Sequence, residues 1–438
     1  MKKALWILIF LSVLAPEFAQ ARVYIDINQV STDSFPIAVV PPYRVRGDED
    51  RALLNDDFAK TVRNDLELMG VFRRIEPKAF IESPTKQGLT PAEIDFASWA
   101  LLDALALVKG WYRVDGKKLT IEAHLYDVLS KTELVAKRYD STVDRAVAIG
   151  HRFANEIMQI LTGESGLFDT KIAFVCQPKG PKELCVTDFD GSNVRQLTRY
   201  GSIVLSPAWE LDGKTIFFTS FAGAKVPQLF RVGSDGSGVP SKLASLPGLT
   251  IGLSIDPTEP LLATTLTKDG NPEIYLLTLA GTLKQRLTTN NDIDVSASFS
   301  PDGKHLTFVS NRDGSPQVYK MDRNGENVQR LTFKGANNTA PAWSPRGDKI
   351  AFAGLDTDGE FDIFTMNIDG SGMMRLTYDT RDNQEPKWAP GGQLITFASK
   401  RTGHYQIWSM RPDGTKQMQL TREPWDHTMP VWGPRTVK

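Results

Sequence analysis

APAWSPRGDKIAFAGLDTDGEFDIFTMNIDGSGMMRLTY, residues 340–378, is one structural unit written out in full. Four short runs, 340–343, 349–353, 362–367 and 374–378, alternate apolar with polar residues, and turns rich in Gly or Pro separate them. Alternation with period two over runs this short reads as strand, so the unit is a four-stranded antiparallel sheet. Such a sheet cannot bury both of its faces alone.

The same unit recurs. A turn ending in Gly appears at Gly191, Gly236, Gly281, Gly325, Gly370 and Gly414, spaced by 45, 45, 44, 45 and 44 residues. Shortly after each comes Leu-Thr or a near variant: Leu197-Thr198, Leu243-Ala244, Leu287-Thr288, Leu331-Thr332, Leu376-Thr377 and Leu420-Thr421. A third landmark, usually aromatic, precedes Pro or a Gly turn at Trp209, Ile255, Phe299, Trp343, Trp388 and Trp432. Four strands per 44 to 45 residues, six times over, predict a six-bladed β-propeller whose blades cover one another's faces. The array starts at a second strand after Lys171 and stops after a lone first strand, so the C-terminal strand is expected to complete the first blade and leave no open sheet edge.

Residues before the array alternate strands and helices. A strand at 35–40 halts at Pro41-Pro42, and a helix follows with Leu54, Phe58, Val62, Leu66 and Met69 on one face and Gly70 as its stop. Thr90-Pro91-Ala92-Glu93 reads as a capping box that opens a second helix. Strands at 104–114 and 119–128 join through Asp115-Gly116, a third lies at 132–139, and a helix over 143–161 ends at Gly163. The expected division is a leader at 1–21, a partner-binding segment at 22–33, an α/β domain of mixed sheet at 34–166, and the propeller at 167–438.

Lys2 and Lys3, the apolar run from Ala4 to Ala15, and Ala19-Gln20-Ala21 read as a secretory leader cut between Ala21 and Arg22. The run is short for a membrane span, which needs about 20 apolar residues. No Cys stands directly after the cut, so a soluble exported chain without a lipid anchor is expected. Cys176 and Cys185, the two cysteines, flank a hairpin loop; in an oxidising compartment they could pair, or they could be two small strand residues. Residues 22–438 carry 49 basic and 51 acidic side chains, which gives no basic stripe for nucleic acid.

The combined architecture, with Phe35-Pro36-Ile37-Ala38-Val39-Val40-Pro41-Pro42, the 310–319 segment SNRDGSPQVY and the Ala-Pro-Ala-Trp-Ser-Pro of 340–345, resembles the TolB family, periplasmic propeller proteins of the Tol-Pal system. The resemblance implies two partners and no cofactor. A Pal-like peptidoglycan-associated lipoprotein would dock over one end of the channel. A TolA-like inner-membrane protein would engage the first dozen exported residues, here opening Arg22, Val23, Tyr24, Ile25, Asp26 and Ile27, whose apolar alternation suits addition of a strand to a partner sheet. It also implies support of outer-membrane integrity and of constriction at cell division, by a protein expected to be monomeric.

Loops entering the innermost strands, at 200–205, 247–252, 290–296, 334–339, 379–385 and 423–428, should crowd one mouth of the channel. Their polar members Asn291, Asp292, Asp294, Asn337, Asn338, Asp382, Glu385, Asp426 and His427 are the candidate contacts for the Pal-like partner, against the plainer reading of solvated turns. Asp356, Asp358, Gly359 and Glu360 lack the Gly and Glu positions of a calcium loop and read as an acidic hairpin tip. His124, His151, His305, His404 and His427 show no metal-ligand spacing. A propeller peptidase would need Gly-x-Ser-x-Gly, which does not occur. A small-molecule or glycan binder using the channel stays open as an alternative, although the recurring Trp and Phe landmarks are more economically packing between blades.

Overall fold

The computed structural model describes residues 34–45, 52–82, 88–355, 359–378 and 380–435. The expected leader, its cut between Ala21 and Arg22, the 22–33 segment and the tip at 356–358 lie outside the described residues.

The N-terminal domain is built on a mixed sheet. Its elements are β1 (Phe35–Val39), β2 (Tyr43–Arg44), α1 (Ala52–Leu68), β3 (Phe72–Arg74), α2 (Phe96–Ala100), β4 (Ala106–Asp115), β5 (Lys118–Asp127), β6 (Thr132–Thr142) and α3 (Ala146–Thr162). The strand order is β3-β1-β4-β5-β6, with β2 beside β4. β1 runs parallel to both neighbours and is buried on both faces, which is why its sequence is an unbroken apolar run. Phe35, Ile37 and Val39 pack with α1 and α3, whereas Ala38 and Val40 pack with Phe96 and Trp99 of α2.

The capping box forms but does not open the helix. Thr90 donates through its amide and hydroxyl to Glu93 Oε2, at 3.0 and 2.6 Å, and closes a single turn. Asp95 then leaves helical backbone, at φ −82° and ψ 76°, and caps α2 by accepting the Ser98 amide. A second cap two residues after the box ends supplants the first.

Six four-stranded antiparallel sheets follow, their strands counted outward from the channel. Blade 1 combines Lys171–Cys176, Glu183–Asp188 and Arg195–Gln196 with the C-terminal strand His427–Trp432, which pairs with Lys171–Cys176 as its innermost strand. The innermost strands of blades 2 to 6 are Val204–Trp209, Thr250–Ile255, Asp294–Phe299, Asn338–Trp343 and Asn383–Trp388. The Leu-Thr landmark has a chemical cause. Five of its threonine hydroxyls, on Thr198, Thr288, Thr332, Thr377 and Thr421, accept the amides of Leu184, Ile274, Val318, Ile363 and Ile407 at 2.9 to 3.0 Å. Four of them also donate to Glu183, Gln317, Asp362 and Gln406, so the landmark latches each fourth strand to the third. Blade 2 carries Ala244 instead, and Gln228 Oε1 there is buried without a partner among the described atoms.

The glycine landmark is an inter-blade contact. Gly325 sits at φ +90°, and a Cβ on it would lie 2.3 Å from the Leu287 carbonyl of the preceding blade. Gly191 meets Leu420 in the same way across the ring closure. Tryptophans of the third landmark also tie blades together: the Trp209 and Trp388 indoles donate to the Val431 and Ala342 carbonyls at 3.1 Å. Cys176 and Cys185 are joined by a disulfide, with Cα atoms 5.8 Å apart, that runs diagonally across the hairpin of blade 1.

The domains share one core. Leu167 and Phe168, at the junction of the two domains, are buried, and Phe168 packs at a tilt on Phe189 of blade 1 at 5.2 Å between ring centroids. Arg346 pairs with Glu164 at 3.3 Å, Gln393 and Arg435 donate to the Ser165 carbonyl, and Trp432 donates to Thr170 Oγ1 at 2.7 Å. These contacts come from turns between first and second strands and from the closing strand, so the N-terminal domain packs against blades 1, 5 and 6 on the face opposite the loops that enter the innermost strands.

Candidate docking face at the free channel mouth

The uncovered mouth is made by two sets of loops. One enters each innermost strand, and the other joins second to third strands. Backbone bonds knit them: Phe221 to Ile203, Asn311 to Ile293, Lys400 to Asp382 and Gln177 to Asp426, at 3.0 to 3.4 Å. Asp382 is a junction, since its carboxylate accepts the Phe361 amide and the Tyr405 hydroxyl, both at 3.1 Å. Asp426 accepts the Tyr405 amide at 2.9 Å, and the Asn271 side chain donates to the Asp292 carbonyl at 2.8 Å. A rim fixed in this way is preorganised, which lowers the entropy lost on docking.

Of the nine polar residues expected at the rim, Asn291 is exposed and Asp292, Asn337, Asp382 and Asp426 are partly exposed around the mouth. The other four are corrected. Asp294, Asn338 and His427 each begin an innermost strand and are buried. Asp294 is clamped by Arg312 at 2.9 and 3.1 Å, Asn338 donates to Gln317 at 2.8 Å, and His427 packs on Phe174. Burial pushes His427 well below the ordinary histidine value, against the opposing charges of Glu423 and Asp426. Glu385 lies past the rim, inside the channel.

The face also carries apolar groups that polarity alone did not flag. Ile293, Phe333 and Tyr378 are 46%, 72% and 57% exposed on three consecutive loops, from blade 3 to blade 6. Arg330 and Arg375 lie over the Phe333 and Tyr378 rings at 5.0 Å. The signal was present in the residue after the Leu-Thr landmark, which is Phe333 and Tyr378 here but Arg199 and Arg422 in other units. Exposed aromatics backed by arginine within a polar rim are the composition of a protein-binding patch. Among the described residues no group of three or more His, Cys, Asp and Glu side chains could hold a metal ion.

Comparison with known proteins places this geometry. Residues 158–436 match the model of the TolB beta propeller domain, and residues 23–134 match that of the TolB amino-terminal domain. The chain belongs to the TolB family. It is 36% identical over 289 residues to the Tol-Pal system protein TolB of Desulfosudis oleivorans, an alignment covering 66% of this chain and 65% of the relative. It is likewise 36% identical over 292 residues to the TolB homolog of Chlorobium chlorochromatii, covering 66% and 64%. The match thus spans just under two thirds of these curated relatives' own length. The crystal structure of TolB from Acinetobacter baumannii is similar at a TM-score of 0.79 and 28% identity, over 92% of this chain and 97% of that one. The mixed α/β domain followed by six blades is therefore a TolB-family architecture.

Proposed function

We propose that this protein is the periplasmic binding component of a Tol-Pal system, docking a Pal-like peptidoglycan-associated lipoprotein on the free mouth and a TolA-like inner-membrane protein through residues 22–33. By bridging the two it would support outer-membrane integrity and constriction during division. The observation that carries this reading is the mouth itself. Six blades converge there on a rigid rim, and Ile293, Phe333 and Tyr378 remain exposed beside Asp292, Asn337, Asp382 and Asp426. The N-terminal domain packs on the face opposite this mouth, against blades 1, 5 and 6, which leaves the mouth open to a partner. Curated relatives are named as Tol-Pal system proteins, which supports a binding role and gives no reaction to assign.

The test is capture from solubilised envelope by the full exported chain and by a chain lacking residues 22–33. Both should retain the Pal-like lipoprotein, and only the first should retain the TolA-like protein. Loss of both partners on that deletion, or capture of neither by the full chain, would refute the assignment.

A further inference from the structure

Beyond the rim the innermost strands narrow to a waist. The third residue of each, Ser206, Gly252, Ser296, Ala340, Glu385 and Met429, adopts positive φ between +51° and +67°. The pairing of first and second strands slips at the same place in every blade. A bulge re-aims side chains, and here all six residues line one cavity of about 120 Å³ on the propeller axis. Pro207, Leu253, Ala297, Pro341 and Pro430 complete the wall.

Two charged side chains enter this cavity, both from blade 6: Glu385 and Lys387. The Glu385 carboxylate accepts the Met429 amide. The Lys387 ammonium makes no hydrogen bond or ion pair with any described residue, and the two groups do not pair with each other. Burial disfavours the charge on each, raising the carboxyl and lowering the amine, and only Lys182 adds a second cation near Glu385. Opposite charges held apart on the channel wall, one of them with no partner, offer charge-assisted hydrogen bonds to a molecule that carries both signs.

We infer that the waist binds a small zwitterion of the α-amino-acid class, its carboxylate on Lys387 Nζ and its ammonium on Glu385. A simple anion would satisfy Lys387 and set a like charge against Glu385; a simple cation would do the reverse. A zwitterion neutralises both and adds no net charge to the channel. A volume of about 120 Å³ suits a small molecule such as glycine, alanine or serine. This site is independent of partner docking, and its test involves no partner.

Calorimetric titration of the full exported chain should show saturable one-to-one binding of L-alanine, and binding at least roughly tenfold weaker for acetate and for methylammonium. Lys387→Met should abolish the alanine signal, Glu385→Gln should weaken it at least roughly tenfold, and Lys387→Arg should restore part of it. Each variant is to be compared at unchanged circular dichroism, and Glu385→Gln, which keeps an acceptor for the Met429 amide, is the variant least apt to disturb folding. The inference is overturned if alanine gives no saturable heat, if acetate binds as well as alanine, or if Glu385→Gln leaves alanine binding intact.

Discussion

Replacing Thr332 with valine keeps the shape of a buried side chain and removes one hydroxyl. That hydroxyl donates to Gln317 Oε1 at 2.7 Å and accepts the Val318 amide at 2.9 Å, with Thr332 and Gln317 both buried. Gln317 Oε1 keeps a second donor, Asn338 at 2.8 Å, so its loss is one ordinary bond, about 0.5–1.5 kcal/mol. The Val318 amide is left buried and unpaired, which costs about 1–3 kcal/mol. Extra apolar burial by valine offsets under about 1 kcal/mol, leaving a destabilisation of about 2–3 kcal/mol. The damage extends to the free mouth, because Gln317 Nε2 holds the Gly335 carbonyl of the loop carrying Asn337. Equilibrium urea unfolding followed by tryptophan fluorescence measures it, with Thr332→Ser, which retains the hydroxyl and loses a methyl group worth about 1 kcal/mol, as control. A Thr332→Val variant within about 0.5 kcal/mol of the parent, or one no worse than Thr332→Ser, would show that the landmark is packing rather than a hydrogen-bonded latch.

Asp65 on α1 and His151 on α3 pair at 2.7 Å beside Phe189 of blade 1. Burial raises Asp65 to about 6 despite His151; burial also opposes charge on His151, but Asp65, Asp190 and Asp188 outweigh it and raise that value too. Because both folded values exceed the unfolded ones, their stabilisation is complete at low pH and is lost as pH rises through about 6 and beyond the ordinary histidine range. The shift of Asp65 alone is worth up to about 3 kcal/mol, a contribution lost between about pH 4 and pH 6, and His151 extends the fall above the ordinary histidine value; Asp65→Asn should flatten the slope below about pH 6 in urea titrations, and an unchanged slope would remove the pair from the account. Reducing the Cys176–Cys185 bond, which closes a loop with a sequence separation of 9, should lower stability by about 3 kcal/mol while leaving far-ultraviolet dichroism intact; equal unfolding midpoints with and without reductant would contradict it. Phe333→Ala and Tyr378→Ala should each weaken the Pal-like partner by roughly tenfold or more without moving the melting temperature, since both rings are exposed; unchanged affinity in titration calorimetry would move docking off this arc.

The blades were legible because each landmark answers a local need that any copy must meet. Gly191, Gly325, Gly370 and Gly414 serve a turn at positive φ pressed on a neighbouring carbonyl, threonine supplies the latch, and tryptophan fills the seam between blades. The rim was less legible because polarity does not report exposure. Asp294 and Asn338 look like surface residues until Arg312 and Gln317, 18 and 21 positions away in sequence, are brought against them by the adjacent strands. Phe333 and Tyr378 were missed for the converse reason: an aromatic residue beside a strand reads as core unless the fold shows that its side of the sheet ends at solvent. The Thr90 box failed locally, since Asp95 competes for the same helix start and wins by reaching the Ser98 amide.

Ring closure and domain attachment are physically one event in this fold. The closing strand pairs with Lys171–Cys176, the Gly433 amide continues that pairing to the Lys171 carbonyl, and Trp432 and Arg435 reach across to Thr170 and Ser165 of the connecting segment. The same buried cluster contains Phe153 and Ile157 of α3, Leu167, Phe168, Phe174 and Trp432. A propeller closed elsewhere in its sequence would lose the contacts of Trp432 and Arg435 with the connecting segment. Closing in blade 1 sets both ends of the propeller in one buried cluster with α3, so the ring cannot open without disturbing the domain packed on its far face. A load applied at the free mouth and another at the N-terminal side would therefore meet in one continuous core rather than in a flexible hinge.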